Sequence, residues 1–333
     1  MKKFIKILSL TLVLALALSS LALLTSCDKE DEKDTELDTD LEINVSVLNG
    51  TTGFGAAKLI NDASNDKAAL NYKFTVETDA SNITAALING SVDIAALPTN
   101  AAANLYNKTR GGIQIAAINT LGVLYLVTNG VEINSISDLA GKTVYAPAQN
   151  PAFIFDAIVR ANNVQNVTID TSYAQPADLR TAVAANQVSI AVLPEPMVTI
   201  AKSANPDVVV ALDLTEVWEA AYGENSLAQG CIVVRTEWAK EHPAELAKFL
   251  EEYKASVEYT TANPKEASEL IVSTGVFAGK APIAEKAIPK CNIVYLDGKD
   301  MKTALNTFFS KLYAVAPASI GGAIPDDGIY FSK

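Results

Sequence analysis

The residues best placed to do chemistry are hydrogen-bond donors on glycine-rich backbone, not nucleophiles. In Leu48-Asn-Gly-Thr-Thr-Gly-Phe-Gly-Ala-Ala-Lys58 three glycines let the chain come close to a ligand, and Thr51 and Thr52 add hydroxyl donors. The stretch follows an alternating, strand-like run at 43–48 and opens into helix-forming Ala56-Ala-Lys-Leu-Ile. Free N–H groups and the positive end of a helix dipole then converge on one point. Such a turn can cradle an anion or a polar group, and it can equally be a plain strand-to-helix connection. The single histidine, His242, stands four residues after Trp238 and just before Pro243, with no Cys or His near it. Its context suggests a capping or spacer role. No Ser/His/Asp set, phosphate loop ending in Lys-Ser/Thr, or metal-spaced cluster is present, so neither catalytic residues nor a metal or cofactor is expected.

The elements that must position these donors occur twice. Residues 83–100, ending Val92-Asp-Ile-Ala-Ala-Leu-Pro98-Thr-Asn100, align without gaps against 179–196, ending Val188-Ser-Ile-Ala-Val-Leu-Pro194-Glu-Pro196. Each copy reads as a helix, a turn at Gly90 or Asn186, a buried apolar strand, and a loop opening at a proline. Upstream, Lys142-Thr-Val-Tyr145 leads through Ala-Pro-Ala-Gln-Asn150 to a helix opening at Pro151, the counterpart of the first glycine-rich turn. The pattern predicts two similar α/β lobes, each with two loops at the carboxyl ends of its strands, where open α/β sheets bind ligands.

The ends of the chain speak to compartment and attachment. Residues 1–26 have a basic start at Lys2, Lys3 and Lys6, then an apolar run, and Leu23-Leu-Thr-Ser-Cys27 resembles a lipobox. The reading is a signal peptide over 1–26 and a lipid on Cys27, holding the protein outside the cytoplasmic membrane. A retained membrane helix is the other reading of that run. Residues 27–41 are acidic and free of aromatics, hence a flexible tether. The formal charge is −12, and loss of the three leader lysines takes it to −15. That surface argues against nucleic acid and against electrostatic binding to an anionic membrane.

Gly50-Thr-Thr-Gly-Phe-Gly, Gly90-Ser-Val-Asp-Ile-Ala-Ala-Leu-Pro, Ser137-Asp-Leu-Ala-Gly-Lys-Thr-Val and Leu193-Pro-Glu-Pro, in this order, resemble the substrate-binding proteins of ABC importers. The nearest group is the nitrate/sulfonate/taurine type, related to the NMT1/THI5-like proteins, and the likeness runs from about residue 42 onward. The resemblance implies a type II periplasmic-binding-protein fold, with lobe one over 42–119 plus 231–333 and lobe two over 120–230. Two crossing strands, at 118–128 and 227–236, would join them. It implies a monomer that takes a small-molecule solute, closes about a hinge, and is met by a permease and its ATPase. An enzyme of the THI5 type shares the scaffold, but those relatives need a histidine and a cysteine-rich iron segment, which this chain lacks. A sensor or adhesion module on the same fold stays open.

Carried onto this chain, the resemblance places Thr51, Thr52, Gly53, Phe54, Thr99 and Asn100 on the lobe-one side of a ligand. Gln149, Asn150, Pro151 and Glu195 would face it from lobe two, with Asn119, Thr120 and Gln229 at the cleft floor. These loops carry no Lys or Arg, so an anion would need helix ends or a distant cation such as Arg180 or Arg235. In the pyrimidine-binding relatives a glutamate in a motif like that of Glu195 meets the ligand's amino group, which favours a heterocycle, while a capping charge on the next helix is the alternative. Trp218 and Tyr222, four apart, and Tyr125 could border the cleft or simply pack. Cys231 and Cys291 fall in one lobe and could form a disulfide outside the cytoplasm or remain buried thiols. Leu246, Phe249, Leu250, Tyr253 and Val257 form a helical stripe, and 301–313 does likewise, so both belong to the scaffold. The tail at 321–328 reads as a loop without an assigned purpose.

Overall fold

Short apolar runs, each bounded by a glycine, proline or asparagine turn, become the strands of two sheets. The computed structural model describes residues 37–332; the leader, Cys27 and most of the tether lie outside the described residues. The strands are β1 (Glu42–Leu48), β2 (Asn71–Glu77), β3 (Ile94–Pro98), β4 (Ile113–Thr120), β5 (Leu124–Asn129), β6 (Thr143–Tyr145), β7 (Thr168–Asp170), β8 (Ile190–Pro194), β9 (Val208–Asp213), β10 (Gly230–Arg235) and β11 (Ile293–Leu296). The first helices are α1 (Thr51–Phe54), α2 (Ala57–Ala63), α3 (Ala80–Asn89) and α4 (Thr99–Thr109). Next come α5 (Asn150–Ala161), α6 (Pro176–Ala184), α7 (Met197–Ala204) and α8 (Leu214–Tyr222). The chain ends with α9 (Thr236–Glu241), α10 (Pro243–Ala262), α11 (Pro264–Ser273), α12 (Ala281–Ala287) and α13 (Gly298–Val315). No helix of the described residues is long and apolar enough to cross a membrane.

The six-stranded sheet runs β2-β1-β3-β10-β4-β11 and the five-stranded sheet runs β7-β6-β8-β5-β9. The repeat is visible in the pairing. β1, β2 and β3 are parallel, as are β6, β7 and β8, and each triplet ends on an antiparallel neighbour. Pro98 closes β3 opposite Gly230, while Pro194 closes β8 opposite Leu124. The turns that reset each copy are left-handed, Gly90 at φ 80° and Asn186 at φ 59°, a region glycine and asparagine tolerate best. Asp79 starts α3 by accepting the Ser81 N–H at 2.8 Å.

The chain passes between the sheets through 121–123, and returns through 223–229. Gly122 sits where a Cβ would lie 2.2 Å from Thr215 Oγ1, so the first passage has room only for glycine. The stripe Leu246, Phe249, Leu250, Tyr253 and Val257 is buried, as are Met301, Leu305, Phe308, Phe309 and Leu312 of α13. α13 packs on α5 of the second sheet's helices, and its Phe308 ring lies 6.0 Å from Trp218 in α8. The C-terminal helix thus meets β4 of the six-stranded sheet and also reaches the helices of the five-stranded one. The tail also has a role: Asn107 Nδ2 donates to Ile320 O at 2.7 Å and to Ala323 O at 2.8 Å, and Phe331 N–H donates to Ile115 O at 2.9 Å. The segment straps α4 down.

Candidate ligand site

Four strand-to-helix junctions follow β1, β3, β6 and β8, at the carboxyl ends of parallel strands. At the first, Gly50 takes φ 109° and its N–H donates to Val276 O at 2.8 Å. A Cβ on Gly53 would lie 2.2 Å from Leu48 O, so this glycine serves close packing. Thr51 and Thr52 are half-buried at the start of α1. Phe54 does not face a ligand: it is fully buried, its ring edge-on to Phe277 at 5.9 Å. The α1 turn is so short that its fourth residue already points into the core.

The second pair of junctions is tied together by the passages between the sheets. Thr99 N–H donates to Gln229 O at 3.1 Å, Gln229 Oε1 accepts the Val123 N–H at 2.8 Å, and Glu195 N–H donates to Val123 O at 2.9 Å. Gln229 N–H also donates to Thr120 O at 3.0 Å. The start of α4 and Glu195, two residues before α7, are therefore linked through both passages. Asn119 and Thr120, expected at the cleft floor, are buried in this knot. Asn119 Nδ2 donates to Thr52 O at 2.9 Å and to Tyr253 Oη at 3.0 Å, and Thr120 Oγ1 donates to Asn119 Oδ1 at 3.1 Å. Their polar atoms are spent on the protein.

Glu195 departs furthest from its expected role. It is only 2 % exposed, and its carboxylate accepts Thr199 N–H at 3.1 Å and Thr199 Oγ1–H at 3.0 Å, capping α7. Burial raises its pKa, opposed by those two hydrogen bonds and by Lys290, whose Nζ lies 4.0 Å away, and Lys202. The capping alternative is the one the fold adopts.

Asn100 and Gln149 remain open to a cavity of about 490 Å³ that lies between helices of the two sheets. Asn100 is in the first turn of α4 and Gln149, exposed at φ 66°, precedes α5. Asn150 and Pro151, both half-buried, open α5. The amide oxygens of Asn100 and Asn150 are buried without a hydrogen-bond partner. Buried polar atoms are seldom left so, and the Asn100 oxygen, at a helix start that lines the cavity, marks a position a ligand can satisfy. Reasoning from loops missed the α4 wall, where Asn104 and Lys108 line the cavity with Asn100. Their spacing of four, read as a helix face, was the available signal.

The family profile described as NMT1/THI5 like matches residues 66–267. The chain belongs to the NMT1/THI5-like family. An ABC transporter structure from Parabacteroides distasonis superposes with TM-score 0.74 at 26 % identity, covering 89 % of this chain and 100 % of that one. The aliphatic sulphonate binding protein SsuA of Escherichia coli superposes at 0.72 with 12 % identity, over 87 % of this chain and 92 % of its own. The alkanesulfonate-binding SsuA of Xanthomonas axonopodis, bound to MOPS, gives 0.60 at 12 % identity, over 86 % and 94 %. No curated protein matches the sequence. The architecture is the periplasmic-binding-protein fold.

Within this NMT1/THI5-like fold the remaining candidates fall into the scaffold. Trp218 is fully buried and donates from Nε1 to Ser226 Oγ at 3.0 Å, while Tyr222 donates to Ala157 O at 3.1 Å. Tyr125 Oη donates to Lys290 O at 2.9 Å. Arg235 is paired with Asp93 at 3.3 Å, and Arg180, half-buried on α6, donates to Thr181 Oγ1 at 3.2 Å. His242 lies 5.1 Å from the Trp238 ring. Cys231 and Cys291 are separate, buried free thiols, which corrects the possible disulfide. Cys231 is held in β10 with Sγ directed at Leu97 O, 3.7 Å away, and burial pushes its thiol up to about 12.

Proposed function

We propose that this protein is the extracytoplasmic solute-binding component of an ABC importer, which takes a small polar organic solute between its two sheets and delivers it to a membrane permease. One observation carries the reading. Asn100, with a buried and unpartnered amide oxygen, and Gln149 stand at helix starts from different sheets and line one cavity. Family membership and the superposed transporter and sulphonate-binding structures support it. The lobes are taken as 42–119 with 231–333, and 120–230, with α13 also packing on α5 of the second; the passages 121–123 and 223–229 act as hinges. A solute that meets both helix starts favours the closed form, which the permease reads.

Thr51, Thr52, Asn100, Gln149, Asn150 and Pro151 form the proposed contact set, with Gln229 at the hinge. Engaged by Thr199 at the start of α7, the Glu195 carboxylate is not free for a heterocycle's amino group, and a sulfonate or other organic acid fits the neutral donors as well. A leader at 1–26 and a lipid on Cys27 complete the reading as a lipoprotein. The test is a thermal-shift screen with alkyl sulfonates, taurine, nitrate and aminopyrimidines, followed by small-angle scattering with the best hit. A ligand at a hundred times its Kd adds about 2.7 kcal/mol. A stabilising hit that also shrinks the particle supports the receptor; a hit that leaves its dimensions unchanged counts against closure as its mechanism.

A further inference from the structure

The cavity is longer than a small inorganic anion needs. Asn100, Asn104 and Lys108 recur every four residues on α4 and share its cavity face. At the helical rise, the row from Asn100 to Lys108 is about 12 Å long. Its ends differ in chemistry. At one end stand the Asn100 amide, with its buried unpartnered oxygen, and Gln149 from the opposite wall. The rest of the wall is mixed, with apolar Ile88, Leu105 and Phe153 beside polar Ser81, Thr84 and Asn104. Ile88 is 63 % exposed, the largest exposure among the large hydrophobic side chains of the described residues. At the far end Lys108 is the charged lining residue, and no carboxylate of the described residues forms an ion pair with it.

We propose that this cavity receives an elongated amphiphilic solute. A neutral hydrogen-bonding head sits at Asn100 and Gln149, an apolar chain or ring lies along Ile88, Leu105 and Phe153, and an anionic end meets Lys108. The inference rests on the solute-receptor reading and narrows it. A solute of nitrate or taurine size would reach one end only, leaving Ile88 in water and Lys108 unmatched. The volume, about 490 Å³, falls in the range of small-molecule sites.

Calorimetric titration of the purified full chain, denatured and refolded once to release any carried solute, tests this with three probes. They are ω-hydroxyoctanoate, its short analogue glycolate, and the uncharged α,ω-octanediol. The hydroxy acid is expected to bind at least about tenfold tighter than either of the others. Lys108→Gln should erase its advantage over the diol without weakening the diol. Ile88→Ser, at an exposed position that the fold does not depend on, should weaken the long probes only. Glycolate binding as tightly as the long acid, indifferent to Lys108→Gln, overturns the elongated solute and leaves the receptor standing. Silence from all three probes overturns it too, and the scattering measurement then decides the receptor reading separately.

Discussion

Gln229 and Val123, one on each passage between the sheets, are joined by the Gln229 Oε1 acceptor and the Val123 N–H at 2.8 Å. That bond makes the two passages one hinge element, because each also holds a strand-to-helix junction: Thr99 through Gln229 O and Glu195 through Val123 O. Gln229→Leu leaves the nearly buried Val123 amide unmet, an expected loss of about 1–3 kcal/mol. Gln229→Glu keeps an acceptor and should stay near the parent. Urea unfolding of the two variants checks this, and equal stability would remove Gln229 from the hinge.

Asn100 and Asn150 should trade stability against binding. Each holds an amide oxygen in the protein without a partner, so Asn100→Ala or Asn150→Ala is expected to leave the ligand-free protein as stable as before or slightly more so. The shift in melting temperature on adding solute should shrink in both. A variant that loses stability but keeps the full ligand shift would show that the amides serve packing.

Glu195 predicts a pH dependence of known sign. Burial raises its pKa in the fold above the unfolded value near 4.5. A raised acid stabilises the fold in its protonated form. Its contribution is fully present below the unfolded value and is lost as pH rises through the folded one. Stability of the parent minus that of Glu195→Gln should therefore rise as the solution is acidified across that window. A flat difference would mean that the Thr199 and Lys290 interactions cancel burial.

Gly122→Ala should destabilise by about 1–3 kcal/mol, since the added carbon would meet Thr215 Oγ1 at 2.2 Å and Leu227 Cδ2 at 2.7 Å. Gly141→Ala meets nothing within 4 Å and carries only the cost of its positive φ, 72°. Thermal unfolding of the pair separates steric crowding from backbone strain. A smaller loss at Gly122 would show that the passage yields.

Phe54→Ala distinguishes a core residue from a ligand contact. Loss of a buried aromatic costs about 3–5 kcal/mol, and the solute affinity of the folded fraction should change little. A stable variant with weakened binding would return Phe54 to the site.

Much of this protein was determined by the sequence alone, because the signals involved are local. Alternation and apolar runs mark β1, β3 and β8; Gly90 and Asn186 supply left-handed turns; Pro98 and Pro194 close the strands of the two copies. The matching order of these features was enough for the two-sheet fold and its family. The tertiary structure decided which junction residues face a cavity. Phe54 turns inward because α1 lasts one turn, Glu195 is drawn to the free N–H of α7, and Asn119 is consumed by Thr52 and Tyr253. None of those partners lies where a loop motif can announce it. The packing of α13 on α5 and the row Asn100, Asn104, Lys108 depend likewise on how whole helices dock, and docking is set by contacts hundreds of residues apart in some cases, as between Asn107 and Ile320. A side chain's type is local information; the direction it faces is not.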